Sequence, residues 1–256
     1  MNFTVIIPAR FGSTRFPGKP LADIDGKPML LHVIDRAKES GATRIIVATD
    51  DDRIRLVAES VCEACMTSTE HTSGTERLAE VIASLNIEDD EVIINVQGDE
   101  PFVPATNIRQ VAENLVSQQP AIATLACAID APEDVTNPNC VKVVLAENGN
   151  ALYFSRAIIP FLRGTDYTNK QSINTAPYLR HIGLYGYTAG YIKQYVSYPA
   201  TELEQLESLE QLRALWYNDV VHVAIAKEPP PAGIDTPEDL TRLMQVLQTK
   251  KHKKEM

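Results

Sequence analysis

The sequence predicts an α/β fold, a parallel sheet covered on both faces that carries a smaller strand-rich elaboration. Two observations predict it. Short β-branched runs alternate with amphipathic helical stretches through residues 1–129, with short connections between them. After residue 140 that rhythm gives way to hairpin and strand-rich patterns.

Taken in order, the strand-like runs are FTVIIPA (3–9), RIIVATD (44–50), EVIINVQGD (91–99) and AIATLACAI (121–129). Between them, MLLHVIDRAKES (29–40), RIRLVAES (53–60), TERLAEVIASL (75–85) and NIRQVAENLVSQ (107–118) carry apolar residues at helical spacing. In VKVVLAENGNALYFS (141–155), Asn148-Gly149 separates two strand-like runs and signals a tight hairpin. LRHIGLYGYTAGYI (179–192) is strand-rich, EQLESLEQLRALWY (204–217) helical, and VHVAIAKE (221–228) a strand. Pro229, Pro230 and Pro231 then interrupt the chain before DTPEDLTRLMQVLQ (235–248), where Asp235 or Thr236 is the N-cap and Pro237 the first helical residue. The resulting division is a sheet domain over 1–129 and 201–248, an elaboration over 130–200, and a solvated tail over 249–256.

Charge excludes some functions. With 34 acidic and 24 basic residues, the net charge of −10 argues against nucleic acid or an anionic membrane surface as partner. No apolar run approaches the roughly 20 residues of a membrane span, and the start lacks a basic region followed by an apolar signal core, so a cytoplasmic protein is expected. Cys62 and Cys65 form a C-x-x-C. Cys127 and Cys140 are single and widely spaced, so small buried thiols are favoured over a zinc site.

Against this acidic background, VIIPARFGSTRFPGKPL (5–21) places Arg10, Arg15 and Lys19 beside Gly12 and Gly18 at the end of the first strand. It is not a P-loop: five residues separate the glycines, and Pro20 stands where that motif needs a hydroxyl. Glycines that let backbone N–H groups approach, with three cations, still suit a triphosphate. Ligand crevices of open α/β sheets lie beyond the carboxyl ends of the strands, where both this loop and QGDEP (97–101) emerge. Asp99 there reads equally as a turn cap or as a Mg²⁺ ligand. His71 reads better as a turn histidine than as a catalytic one.

Several segments carry a resemblance: IIPARFGSTRFPGKPL, HTSGTERL (71–78), NVQGDEPF (95–102), NPNCVKVV (137–144), ALYFSRAIIPF (151–161), LRHIGLYGY (179–187), LESLEQLRALWY (206–217) and IDTPEDL (234–240). In order and spacing, from residue 3 to about 243, they resemble the CMP-KDO synthetases, the 3-deoxy-manno-octulosonate (KDO) cytidylyltransferases of lipopolysaccharide synthesis. The resemblance implies a Rossmann-like nucleotidyltransferase sheet domain with a dimerisation lobe, CTP and an acidic sugar as substrates, Mg²⁺ as cofactor, and a homodimer. The sugar's anomeric hydroxyl would attack the α-phosphorus of CTP and expel pyrophosphate.

By the same resemblance, Lys19, Asp99 and Asp235 are the catalytic candidates, the two aspartates as Mg²⁺ ligands. Arg10, Ser13, Arg15, Lys19, Arg77 and Gln97 would bind CTP. Arg156, His181, Tyr185, Glu210 and Gln211 would bind the sugar, with Arg156 suited to its carboxylate. Two alternatives accompany this reading: cytidylyl transfer to another acidic sugar, such as 8-amino KDO or a sialic acid, and a nucleotide-binding regulator without chemistry.

Overall fold

The computed structural model describes residues 1–12, 16–231, 233–234 and 236–244. Of the expected site residues, Ser13, Arg15 and Asp235 lie outside the described residues, as does the tail 249–256.

The first half follows the expected alternation. Strand β1 (Thr4–Ala9) is followed by a two-residue hairpin, β2 (Asp23–Ile24) and β3 (Lys27–Pro28). Then come α1 (Met29–Glu39), β4 (Arg44–Thr49), α2 (Asp52–Glu59), β5 (Glu63–Met66), α3 (Gly74–Ser84), β6 (Val92–Asn95), α4 (Ala105–Gln118) and β7 (Ile122–Ala128). Side chains of β1 show why both faces are covered. Val5 and Ile7 pack with Leu30, Ile54 and Val111 of α1, α2 and α4, whereas Ile6 packs with Leu78 of α3 on the other face. The C-x-x-C divides in the same way. Cys65, on β5, is buried in the second core and Cys62 packs against the first, and both thiols are free. Burial pushes the Cys62 thiol up to about 11, so it stays protonated and unreactive near neutrality.

The second half contributes α5 (Pro132–Thr136), β8 (Lys142–Leu145), β9 (Ala151–Ser155), β10 (Leu179–Thr188), α6 (Ala189–Ser197), α7 (Glu202–Glu207), α8 (Leu212–Trp216) and β11 (Val221–Ile225). β8 and β9 form the expected hairpin, with Gly149 at φ 81°. Thr236 caps the last helical segment: its hydroxyl accepts from Asp239 N at 3.2 Å, its own N–H donates to the Asp239 carboxylate at 3.0 Å, and residues 237–244 are helical.

Among the described residues nine strands form one sheet, ordered β11-β7-β10-β6-β1-β4-β5, with β8 on β10 and β9 on β8. Here the structure differs from the division read in the sequence. β10, within the expected elaboration, runs antiparallel between β6 and β7 at the middle of the sheet. Its entry needs a residue without a side chain: a Cβ on Gly186 would lie 2.8 Å from Val111 Cγ1 of α4 and 3.1 Å from Ile94 Cδ1 of β6. The expected helix over 204–217 is also two helices, α7 and α8, because Ser208 turns left-handed at φ 50°.

β10 also carries His181. The Thr124 hydroxyl lies 2.8 Å from the Leu184 carbonyl and 3.1 Å from that of Ile182, and His181 Nε2 is 3.1 Å from the same oxygen. With the hydroxyl proton directed to a carbonyl, His181 is assigned as the Nε2–H tautomer donating to Thr124. Burial pushes its pKa down to about 3. Below about pH 6.5 the unfolded chain therefore takes up a proton that the folded imidazole refuses, and stability falls with falling pH. His181→Gln is expected to flatten the decline of melting temperature between about pH 6.5 and pH 5, measured by calorimetry beside the parent protein.

Candidate active site

The carboxyl ends of β1 and β6 open onto a cleft. Beyond β1, the chain passes Arg10 and closes on itself through a 3.0 Å bond from Gly18 N to the Phe11 carbonyl. Gly18 has φ 71°, and a Cβ there would meet the Phe11 ring at 3.0 Å, so only glycine suits this turn. A single 3₁₀ turn, Lys19–Leu21, follows. Lys19 Nζ donates to Asp99 Oδ2 at 2.6 Å and to the Ile234 carbonyl at 2.8 Å. The Asp99 loop can lie here because residue 98 is glycine: a Cβ would come within 2.9 Å of the Pro8 carbonyl. Ile234 also donates its own N–H to the Asp99 carbonyl at 3.2 Å, which brings the chain immediately before Asp235 to the same edge.

Across the cleft is the start of α3. Ser73 accepts from Glu76 N at 3.1 Å, and the Glu76 carboxylate accepts from Thr72 N at 2.7 Å and Ser73 N at 3.3 Å. Burial raises the Glu76 pKa, but these bonds outweigh it and hold the carboxyl below its ordinary value. These elements enclose a chamber of about 240 Å³ lined by Arg10, Lys19, Gln97 and Asp99 among others.

A second chamber, of about 130 Å³, shares Gly74 and Gln97 with the first. Its walls include Asn95, Tyr185, Tyr187, Tyr195, Glu210 and Gln211. Three buried polar atoms here lack a hydrogen-bond partner: Asn95 Oδ1, Glu210 Oε1 and Gln211 Nε2. Gln211 Oε1 already accepts from the Tyr185 hydroxyl at 3.3 Å. Burial raises the Glu210 pKa against the lowering influence of Thr75, Ser73 and Arg213. Orphaned acceptors beside an orphaned donor match a ligand with several hydroxyls, since each hydroxyl both donates and accepts.

The structure thus brings Arg10, Lys19, Arg77, Gln97 and Asp99 to the first chamber, and Gln97, Tyr185, Glu210 and Gln211 to the second. Arg77 is 3% exposed and already occupied, donating to Asp50 at 2.9 Å and to the Thr67 hydroxyl, so it braces the wall. His71 is bonded to Glu80. Two expected sugar residues line neither chamber. His181 stands behind Tyr185, with ring centroids 5.4 Å apart. Arg156, expected at a substrate carboxylate, has its guanidinium donating to the carbonyls of Glu207, Pro138 and Ser208 at 2.6, 3.0 and 3.2 Å. Asn95 was not singled out in the sequence. Its only local signal is an amide closing a buried apolar run, VIIN.

The Asp99 carboxylate, one oxygen of which accepts from Lys19, is one-third exposed and lines the first chamber, a donor type that suits a hard cation such as Mg²⁺.

Residues 4–225 match the family described as Cytidylyltransferase. A protein of Alteromonas mediterranea named 3-deoxy-manno-octulosonate cytidylyltransferase is 59% identical over 248 residues, covering 96% of this chain and all of the relative. A solved structure of CMP:2-keto-3-deoxy-manno-octonic acid synthetase complexed with CTP superposes with a TM-score of 0.87 at 36% identity, covering 98% of this chain and all of that one. A shared fold and identity along nearly the whole length lead to one conclusion: the chain belongs to the cytidylyltransferase family, as a member of its 3-deoxy-manno-octulosonate branch.

Proposed function

We propose that the protein transfers CMP from CTP to the anomeric hydroxyl of KDO, giving CMP-KDO and pyrophosphate for lipopolysaccharide synthesis. The carrying observation is the pair of chambers that meet at Gly74 and Gln97. The first has Arg10 and Lys19 for a triphosphate. The second has no lysine or arginine among its described lining residues and offers the orphaned groups of Asn95, Glu210 and Gln211 to a polyol. The nucleophile and the α-phosphorus would therefore meet at the shared wall. There the hydroxyl oxygen bonds to phosphorus, its proton is released, and the bond to the bridging oxygen breaks, freeing pyrophosphate.

In this reading Arg10, Arg15 and Lys19 hold the phosphates, Ser13 and Gln97 orient the nucleotide, and Tyr185, Glu210 and Gln211 hold sugar hydroxyls. Asp99 and Asp235 hold Mg²⁺, which supplies positive charge to the phosphate oxygens when bound. Glu210 carries the only carboxyl group among the described residues lining the second chamber, which favours an amino sugar such as 8-amino KDO as the second reading. No helix among the described residues is long and apolar enough to cross a membrane, which is compatible with a cytoplasmic place beside the CTP pool.

Pyrophosphate release with CTP, Mg²⁺ and a panel of acidic sugars tests the proposal. KDO is expected to turn over fastest, 8-amino KDO outrunning it would establish the second reading, and no turnover with any sugar would refute both. Within that assay, Asp235→Asn is expected to keep CTP affinity and lose about two orders of magnitude or more in rate, as for loss of one transition-state stabiliser. Lys19→Ala should instead weaken CTP binding, measured by calorimetry. Normal turnover of Asp235→Asn would remove that residue from the site.

The chain is further proposed to form a two-fold homodimer, because Leu152, Phe161 and Leu206 present exposed apolar surface in and beside the segment 130–200. Sedimentation at micromolar concentration should give twice the mass of one chain, and a monomer alone would refute it.

A further inference from the structure

Glu210 and Gln211 stand on a turn that has little regular structure of its own. α7 ends at Glu207, Ser208 is left-handed at φ 50°, and α8 begins only at Leu212. What fixes this turn lies mostly in other parts of the chain. Arg156, just past β9, spreads its guanidinium over the last carbonyls of α7, Glu207 at 2.6 Å and Ser208 at 3.2 Å, and over Pro138 at 3.0 Å. The Glu207 carboxylate returns the connection, accepting from the Ser155 hydroxyl at 2.6 Å and from Arg156 N at 2.9 Å. Beneath them, Lys142 is 0% exposed and donates to the carbonyls of Cys140, Arg156 and Asn137 at 2.6, 2.8 and 2.9 Å. The other side of the turn is closed by the Arg213–Glu204 fork, at 2.6 and 2.8 Å, and by Tyr195, whose hydroxyl donates to the Glu210 carbonyl at 2.7 Å.

We propose that Arg156 and Glu207 are positioning residues. They pin the β8–β9 arm to the end of α7 and thereby aim Glu210 and Gln211 into the second chamber, without touching the substrate themselves. Two observations favour this over contact with the sugar carboxylate. Arg156 lines neither chamber, and three of its donors already serve backbone carbonyls. The role rests on the second chamber being the sugar site.

Two conservative variants test it. Arg156→Lys keeps the charge but cannot span three carbonyls, and Glu207→Gln leaves one acceptor oxygen where the carboxylate has two, Oε1 for the hydroxyls of Ser155 and Tyr153 and Oε2 for Arg156 N. Both are expected to raise KM for the sugar acid about tenfold while leaving KM for CTP within about twofold. Their preference for the sugar acid over its carboxamide should match that of the parent protein. Hydrogen exchange should accelerate at residues 208–212 and stay unchanged in β1 and β4. Loss of the acid-over-carboxamide preference in Arg156→Lys would overturn the proposal, because Arg156 would then be reading the carboxylate. Unchanged exchange at 208–212 in Glu207→Gln would overturn it as well, and this variant decides if Arg156→Lys does not fold. The exchange measurement is independent of sugar identity, so it stands even if the parent protein fails to turn over KDO.

Discussion

One ammonium group sets the geometry of the cleft. Lys19 Nζ reaches Asp99, 80 residues onward, and the carbonyl of Ile234, 215 residues onward. Its side chain is only 11% exposed, and a cation at that depth is costly unless paired and hydrogen-bonded. Satisfying it therefore fixes three loops relative to one another: the one after β1, the one after β6 and the one after β11. The same pairing places Asp99 at the rim with one-third of its side chain still open to the cleft. Glycine at 98 is the complementary requirement, since any side chain there would push the Asp99 loop off Pro8 and break the bond.

The second chamber depends on a different constraint, the antiparallel strand in the middle of an otherwise parallel neighbourhood. β10 brings Tyr185 beside Asn95 in register with β6, and its continuation into α6 supplies Tyr195. The amide of Asn95, the hydroxyl of Tyr185 and the turn before α8 thus converge next to the first chamber, although they come from three distant stretches of chain. Burial leaves the chamber rich in polar atoms yet poor in charge. Such a site discriminates through hydrogen bonds: a ligand lacking the matching hydroxyls would leave Asn95 Oδ1 and Gln211 Nε2 unpaired at a cost of about 1–3 kcal/mol each.

Arginine serves this structure in ways that the residue type conceals. Arg77 and Arg156 both belong to segments on which the family resemblance was read, and both donate to the protein itself, one to Asp50 and Thr67, the other to carbonyls. A guanidinium offers the same planar donors to a backbone carbonyl as to a phosphate or carboxylate. Only the position of its neighbours decides which it serves.

Local pattern was enough for much of this molecule. The apolar runs of β1, β4 and β7, the 3.6-residue period of α1 to α4, the Asn148-Gly149 hairpin and the cap at Thr236 are written in short stretches, because steric and hydrogen-bonding preferences act over a few residues. The cluster of glycines and cations after β1 was visible for a similar reason, its members being neighbours in the chain. β5 was missed because the four residues Glu63–Met66 are too short to show a period. The middle position of β10, the break at Ser208, the orphaned amide of Asn95 and the commitment of Arg156 were decided only when distant segments packed together. Strand order and side-chain partnership are set by burial and pairing across the whole chain, and a local period carries no record of which residues will meet.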